Sequence, residues 1–157
     1  SGEPENTLLV LSQMPYSGIP NLQKGWGRLC KSDPECENAM LILDTWHWVR
    51  ADQPYDILTP EIAEKVISIQ INDAYERPYA YSILRDESMH DRLAPGTGAK
   101  DTAGFVKMIK DAGIDPKVVG VEVISDEILG RGINEAAAYT YENTEKVLKR
   151  SLARLVD

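Results

Sequence analysis

Four short apolar runs, each followed by a helix-like segment, limit the folds open to this 157-residue chain more than any other feature. The runs lie at 7–14, 39–43, 66–71 and 118–124. Short apolar runs bounded by polar residues predict strands that are buried on both faces. Strands that alternate with helices predict a parallel sheet with right-handed crossovers. The sequence therefore predicts an α/β protein built from four parallel strand–helix units.

The helix signals fall between these strands. We predict helices at 21–32, from Thr59, from Asp101 to about residue 112, and at 134–156. Thr59 and Asp101 are N-cap residues, and a proline follows Thr59 at the first helical position. Apolar spacing in the last helix predicts one buried face, formed by Ala137, Tyr141, Thr144, Leu148, Leu152 and Leu155. The longer predicted loops pass through Trp46 and Trp48 after the second strand, and run to Lys100 after the third.

Composition predicts one soluble domain and argues against two classes of partner. Residues 7–157 show no compositional break, and the polar segment 1–6 is expected to be a disordered terminus or a tag remnant. A net charge of −8 argues against nucleic acids and anionic membrane surfaces, which attract basic proteins. No apolar run approaches the roughly 20 residues of a membrane span.

The two cysteines, Cys30 and Cys36, lack the close-spaced pairs of a structural zinc site. Two interpretations stay open. They are free thiols in a reducing compartment, which makes the cytoplasm the expected location, or they form a disulfide across the Asp33-Pro34 turn.

Two parallel architectures compete, an open doubly wound sheet and part of a (β/α)₈ barrel. A dinucleotide-binding open sheet normally has a glycine-rich turn after its first strand, and segment 15–20 does not match that pattern. Polar residues follow all four strands, as in a barrel, where the loops above the strands form one site. They are Ser12 and Gln13; Asp44 and His47; Gln70, Asn72 and Asp73; and Glu122.

Glu122 is flanked by valines, and a carboxylate buried there without a partner would cost several kcal/mol. Its partner is either a buried Arg or Lys, or a hard divalent cation. A cation held by carboxylates, an amide oxygen and an imidazole would polarise a carbonyl or an enediolate oxygen.

Other residues also have two interpretations. His47 is a substrate contact or a hydrogen-bonded loop histidine, and Asp73 is a substrate contact or a loop cap. Trp46 stacks on a substrate or packs in the core. The segment from Arg92 to Gly98 approaches an anion through its glycines, or it is an ordinary turn before the Asp101 cap.

Five segments together resemble the sugar phosphate isomerase/epimerase family with xylose isomerase-like TIM barrels. They are Met14-Pro15-Tyr16-Ser17-Gly18-Ile19-Pro20, Leu43-Asp44-Thr45-Trp46-His47, Gln70-Ile71-Asn72-Asp73-Ala74, Pro95-Gly96-Thr97-Gly98 and Val121-Glu122-Val123. The resemblance covers only the C-terminal half of the family barrel, strands five to eight. It implies a half barrel over residues 7–157.

The resemblance also implies a divalent metal (Mn, Mg, Co or Zn) at the barrel mouth. By position, the ligands would be Asp44, Gln70 and Glu122. Glu122 and His47 would be catalytic, and the substrate contacts would be His47, Trp46, Asp73 and Arg92. The chain departs from the family at Ser12, where a glutamate is expected, and at Gln70, where histidine is common.

These implications predict a metal-dependent isomerase, epimerase or dehydratase subunit that acts on a sugar or another polyhydroxy carbonyl compound. The alternative is a non-catalytic half-barrel subunit. It is favoured by Ser12, which lacks the carboxylate of the glutamate expected at that position. A whole barrel needs about 250 residues, and a half leaves two open sheet edges. A partner is therefore expected, either a second copy or a separate N-terminal half, unless the chain is a fragment of a longer polypeptide.

Overall fold

The structure is a computed structural model that describes residues 9–32, 38–77, 83–116 and 118–153. Segment 1–6, Cys36 and the side chain of Cys30 lie outside the described part, so their predictions stay untested. The predicted four-stranded parallel sheet is confirmed, with neighbours in the order β1-β2-β3-β4. The strands are β1 (Leu9–Ser12), β2 (Ala39–Asp44), β3 (Val66–Ile71) and β4 (Val118–Val121).

Helices connect and follow these strands. The described α-helices are α1 (Leu22–Ser32), α2 (Thr45–Arg50), α3 (Pro60–Ala63), α4 (Leu84–His90), α5 (Thr102–Asp111), α6 (Asp126–Leu129) and α7 (Ile133–Ala153). The predicted caps are present, because the Thr59 side chain accepts from the Ile62 amide and that of Asp101 from the Gly104 amide. Gly113, with φ +74°, follows α5 closely, as predicted for a glycine stop.

The strand order decides between the two architectures. Each strand pairs in parallel with the next one in sequence. Right-handed crossovers between such strands place every connecting helix on the same face of the sheet. A doubly wound sheet needs a reversal of strand order, which this sheet lacks. The fold is therefore wound as one part of a barrel.

The hydrophobic core lies between the sheet and the helices. Alternate strand residues such as Leu41, Leu43 and Ile71 are at most 1% exposed and belong to one cluster with Phe105 of α5. Trp48 joins this cluster, and its ring meets that of Phe105 edge-on at 5.7 Å between centroids. The outer face of the sheet is thus closed by helices.

The opposite face of the sheet has no such helical layer in the described residues, and both of its edges are open. β1 exposes Leu9 by 60% and Val10 by 39%. β4 exposes Val118 by 60%, Val119 by 40% and Val121 by 42%. Apolar residues along unpaired edge strands favour pairing with further strands. The sheet therefore has the form of an open half barrel.

Two predicted loops contain helices. α2 occupies the segment after β2 because Asp44 acts as its N-cap, with Oδ1 accepting from the His47 amide at 2.9 Å. α4 lies in the long connection after β3 and places Glu87 and Ser88 at 0% exposure. Sequence periodicity missed both helices because each has only six or seven residues.

The predicted burial face of α7 is right only in part, because Thr144 is buried and Leu148 packs against the core while other members are exposed. Tyr141 and Leu152 are 65% and 52% exposed, and Leu155 lies outside the described residues. The buried side is completed by three residues that were not predicted, Ala136, Val147 and Ser151. These residues are smaller, so they let α7 pack closely on α5. The larger apolar residues are left as an exposed stripe.

The glycines of segment 95–98 are required by its close neighbours. Gly96 has φ +73°, and a Cβ on it would lie 2.7 Å from Cγ2 of Val147 in α7. A Cβ on Gly98 would lie 2.4 Å from the carbonyl oxygen of Ala74. The segment is therefore packed between α7 and the end of β3.

Candidate functional site

Asp44 ends β2 with its side chain buried and its oxygens occupied. Oδ1 accepts from the His47 amide at 2.9 Å. Oδ2 accepts from Asn72 Nδ2 at 2.9 Å and from Arg92 Nη1 at 3.2 Å. Burial raises the pKa of Asp44, while the Arg92 charge and hydrogen bonds, including one from the Trp46 amide, oppose that rise. These four donors fill the roughly four acceptor positions of a carboxylate.

Arg92 is the centre of the site, and each of its five N–H groups meets an acceptor of the protein. Nε donates to the Ser88 carbonyl at 2.9 Å, and Nη2 donates to Ser88 Oγ at 2.7 Å. Nη1 donates to Asp44 Oδ2 at 3.2 Å and to Glu122 Oε2 at 2.6 Å. Nη2 also lies 3.4 Å from His47 Nε2. The guanidinium therefore joins both carboxylates of the site.

Glu122 follows β4 directly and carries the carboxylate of this cluster that reaches solvent. Its side chain is 37% exposed, whereas those of Arg92 and Asp44 are 3% and 0% exposed. The pair with Arg92 corresponds to the buried-arginine alternative for Glu122. Glu122 is thus the part of this buried ionic cluster that reaches solvent, and it lies at the carboxyl ends of the strands.

His47 lies beside this cluster and is 4% exposed. Because arginine only donates, we assign Nε2 as the acceptor facing Arg92, which leaves the proton of the neutral ring on Nδ1. Burial, and then the Arg92 charge, lower the pKa of His47 to about 4, against an opposing effect of Glu122. Nδ1 is buried with no hydrogen-bond partner among the described residues. At neutral pH this side chain is an uncharged donor without an acceptor.

Trp46 supports the site from within. It is fully buried, with Cζ of Arg92 5.4 Å and Cζ of Arg50 5.8 Å from its ring centroid. Nε1 donates to Glu87 Oε1 at 3.3 Å. The structure therefore places this indole in packing and cation–π contact, and not on an open surface.

Asp73 is also buried and holds a loop. Its carboxylate accepts from the amides of Ala74 at 2.7 Å, Gly98 at 3.0 Å and Lys100 at 3.2 Å. Burial raises the pKa of Asp73, and these hydrogen bonds oppose the rise. The structure places Asp73 as a cap for segment 95–98, which is the second of its two sequence interpretations.

The three predicted metal ligands lie on adjacent strands, but their donor atoms do not fit a divalent cation. Gln70 is paired in register with Asp44 on one side and with Gly120 on the other. The acceptor positions of Asp44 are filled, and Glu122 Oε2 faces a guanidinium that already carries positive charge. Within the described ranges, no cluster of three His, Cys, Asp or Glu residues is placed to hold a metal.

A second buried ion pair escaped sequence reasoning. Arg50 Nε donates to Glu87 Oε1 at 2.9 Å, Nη2 makes a shorter contact to the same oxygen, and Nη2 also donates to the Tyr75 carbonyl at 3.0 Å. Glu87 is fully buried. Its position in a predicted loop, 37 residues from its partner, gave no local signal of burial.

A sheet wound in one direction, with a polar cluster at its strand ends, has the fold of one half of a xylose isomerase-like TIM barrel. Solved structures support this conclusion. The chain is similar to the IolI protein with a bound zinc atom, with TM-score 0.74 and 21% identity over 92% of this chain and 49% of that chain. It is similar to a xylose isomerase domain protein from Alicyclobacillus acidocaldarius subsp. acidocaldarius (TM-score 0.67, 21% identity, 92% and 51% covered).

L-ribulose 3-epimerase is a third similar structure, with TM-score 0.58 and 19% identity over 96% of this chain and 50% of that chain. The chain thus spans about half the length of these three barrels, which confirms the half-barrel fold. No protein-family model and no curated protein sequence matches it. Among the described helices, none has the length and apolar character needed to cross a membrane.

Proposed function

We propose that this chain is one half of an isomerase- or epimerase-like barrel that acts on a small sugar-like polyhydroxy carbonyl compound. One observation carries the proposal: Glu122 is a partly exposed carboxylate, held at the strand ends by a buried arginine. The likeness of the fold to L-ribulose 3-epimerase and to xylose isomerase domain proteins supports the reaction class.

Glu122 is the general base in this proposal. A carboxylate at the barrel mouth takes the proton from the carbon next to a carbonyl, and Arg92 fixes its position. His47 stays uncharged beside the arginine, and its Nε2 accepts from Arg92 Nη2, so that it helps to position the guanidinium that holds Glu122. In this proposal, Trp46 packs against His47 and Arg92, Asp73 caps segment 95–98, and neither contacts substrate.

The departure at Ser12 limits what this half does alone. Epimerisation moves protons on two faces of an enediolate and uses two acid–base groups. This half offers Glu122, so the second group comes from the other half. Dehydration fits the same site: Glu122 takes the proton next to the carbonyl, the C–O bond on the neighbouring carbon breaks, and Glu122 returns that proton to the leaving hydroxide, which departs as water. The predicted metal is left out of this proposal because the donor atoms do not fit it.

The partner is a second four-stranded half that closes the barrel, either an N-terminal half or a second copy of this chain. Both sheet edges are apolar and unpaired in the described residues. The stripe on α7, which includes Ile133 at 83%, Tyr141 at 65% and Leu152 at 52% exposure, lies on the last helix of the half. In a closed barrel, this helix has a neighbour on each side. A stable monomer at micromolar concentration in light scattering would contradict the partner.

The activity is tested with the completed barrel in D₂O. We expect some sugar or sugar phosphate to exchange its hydrogen next to the carbonyl, observed by proton NMR. Glu122→Gln is expected to slow the exchange by about 10²- to 10⁴-fold, the usual contribution of a general base. Glu127→Gln removes an exposed carboxylate that pairs with Arg131 and is the matched control. Exchange that survives Glu122→Gln would contradict the proposal.

The second candidate is a half barrel that binds a sugar-like compound without reacting. Two observations favour it, the neutral Ser12 and the full occupation of Arg92 by protein acceptors. Saturable binding of a sugar, measured by calorimetry, without hydrogen exchange or dehydration would support this function over the first.

A further inference from the structure

We propose that Arg92 supplies the fixed positive charge at the barrel mouth, so that this half site needs no divalent cation. The inference deepens the proposed function, because it names what balances the carboxylates of the same site. Those carboxylates are Asp44 and Glu122, which both pair with Arg92.

The first observation is that one guanidinium pairs with both carboxylates. Arg92 Nη1 lies 3.2 Å from Asp44 Oδ2 and 2.6 Å from Glu122 Oε2. A divalent cation binds carboxylate oxygens directly. To reach Asp44 it would have to displace hydrogen bonds, and it would then lie beside a guanidinium of the same sign of charge. The position that a cation would take is therefore already neutralised.

The second observation is the scarcity of anionic donors on the inner face. Ser12 pairs in register with Ile42, two residues before Asp44 on the neighbouring strand, and so shares the face of that aspartate. Ser12 and Gln70 bring a hydroxyl and an amide, both neutral. Among the described residues, the two carboxylates of this face are those that Arg92 holds, so a metal would have to share both of them with the guanidinium.

The third observation is that Arg92 is fixed. Its Nε and Nη2 donate to the carbonyl and hydroxyl of Ser88, at 2.9 Å and 2.7 Å. The guanidinium also lies 5.4 Å from the centroid of the buried Trp46 ring. A metal that displaced the guanidinium would therefore have to break these contacts as well as the two ion pairs.

The experiment measures Mn²⁺ binding to the chain and to the completed barrel by electron paramagnetic resonance and calorimetry. We expect no saturable binding in the micromolar range and the same unfolding temperature with Mn²⁺ or with EDTA. Saturable micromolar binding by the unchanged protein would overturn the inference.

Variants test whether Arg92 is the reason. Ser12→Glu restores the missing carboxylate, and we expect no Mn²⁺ binding while Arg92 remains. Ser12→Glu combined with Arg92→Gln is expected to bind Mn²⁺ and to gain unfolding temperature from it. Arg131→Gln with Ser12→Glu is the matched control, because it removes an exposed arginine instead.

Binding by Ser12→Glu alone, or no binding by the folded double variant, overturns the inference. If the double variant does not fold, the measurement on Ser12→Glu decides. The proposed function fails separately: if no sugar exchanges hydrogen, the function is lost while the metal result stands. Exchange that EDTA abolishes would overturn only the role of Arg92.

Discussion

Two arginine–glutamate pairs flank the same tryptophan and differ in one respect. Arg50 and Arg92 lie with their Cζ atoms 5.8 Å and 5.4 Å from the centroid of the Trp46 ring. The carboxylate of the first pair, Glu87, has a side chain that is 0% exposed, whereas that of the second, Glu122, is 37% exposed. The Arg50–Glu87 pair is thus shut off from solvent, and we call it the sealed pair. The Arg92–Glu122 pair reaches solvent, and we call it the open pair. Of these two pairs, only the one with Glu122 has a carboxylate that the proposed substrate would reach.

One helix connects the two pairs. α4 presents Glu87 to Arg50 and the next residue, Ser88, to Arg92. Consecutive helical residues point about 100° apart, so a short helix supplies both centres at once. We therefore expect the sealed pair to act on stability and the open pair to act on chemistry.

Glu87→Gln is expected to have the largest effect on stability. It leaves the Arg50 charge buried without a counter-charge, and breaking such a pair costs about 3–5 kcal/mol. Urea denaturation gives the free energy of unfolding. Glu127→Gln, in the exposed pair with Arg131, is expected to cost less than about 1 kcal/mol. Equal losses of unfolding free energy in the two variants would contradict the burial of the Arg50–Glu87 pair.

The pH dependence of stability tests the open side next. His47 takes up a proton near pH 6.5 when unfolded but only near pH 4 when folded, so acidification between these values favours the unfolded state. A difference of this size corresponds to up to about 3 kcal/mol. His47→Gln keeps an acceptor toward Arg92 and is expected to remove this loss.

The comparison is made as unfolding free energy against pH for the wild type and the variant. The raised pKa values of Asp44 and Asp73 act in the opposite direction, because those groups take up protons more readily in the fold. Both are present in each protein, so the difference between the two curves isolates His47. His90→Gln removes an exposed histidine and is the matched control. Parallel curves for wild type and His47→Gln would contradict the burial of a neutral imidazole.

Ser88→Ala is expected to have an intermediate effect on the open pair. It removes the oxygen that accepts from Arg92 Nη2 at 2.7 Å and leaves a buried charged donor without that partner. Such a loss costs about 1–3 kcal/mol. Ser88→Thr keeps a hydroxyl and controls for it. If hydrogen exchange in Ser88→Ala slows by more than the loss of folded protein explains, Ser88 positions Glu122 through Arg92.

Glu122→Gln is expected to have the smallest effect on stability, at most about 1 kcal/mol, because the carboxylate is partly exposed and Arg92 keeps Asp44. Its effect on hydrogen exchange is expected to be large, as stated above. A stability loss as large as that of Glu87→Gln would remove the distinction between the two pairs.

The sequence predicted the sheet well because its signals are local. The β3 bounds match the prediction, and Asp44 marks the end of β2 because a charged residue there interrupts an apolar run. The partner of Glu122 could not be chosen from the sequence, since Arg92 lies 30 residues away and carries no signal of burial. The pair of Arg50 and Glu87 was missed for the same reason.

The stripe on α7 shows a different limit of sequence reasoning. Spacing of Tyr141, Leu148 and Leu152 predicted a face to be buried, but spacing does not say against which neighbour. In the described chain α5 packs on the adjacent smaller residues, such as Val147. The exposed part of the predicted face, Tyr141 and Leu152, is therefore available to the second half of the barrel that we propose.

The close fit of Gly96 against Val147 has a consequence for the order of folding. Asp73 holds one end of segment 95–98, but the contact of Gly96 with Val147 forms only when α7, residues 133–153, is in place. During synthesis, the strands carrying Asp44 and Gln70 emerge well before this helix. We therefore expect the packing of the loop beside the site to be completed late, after α7 has left the ribosome.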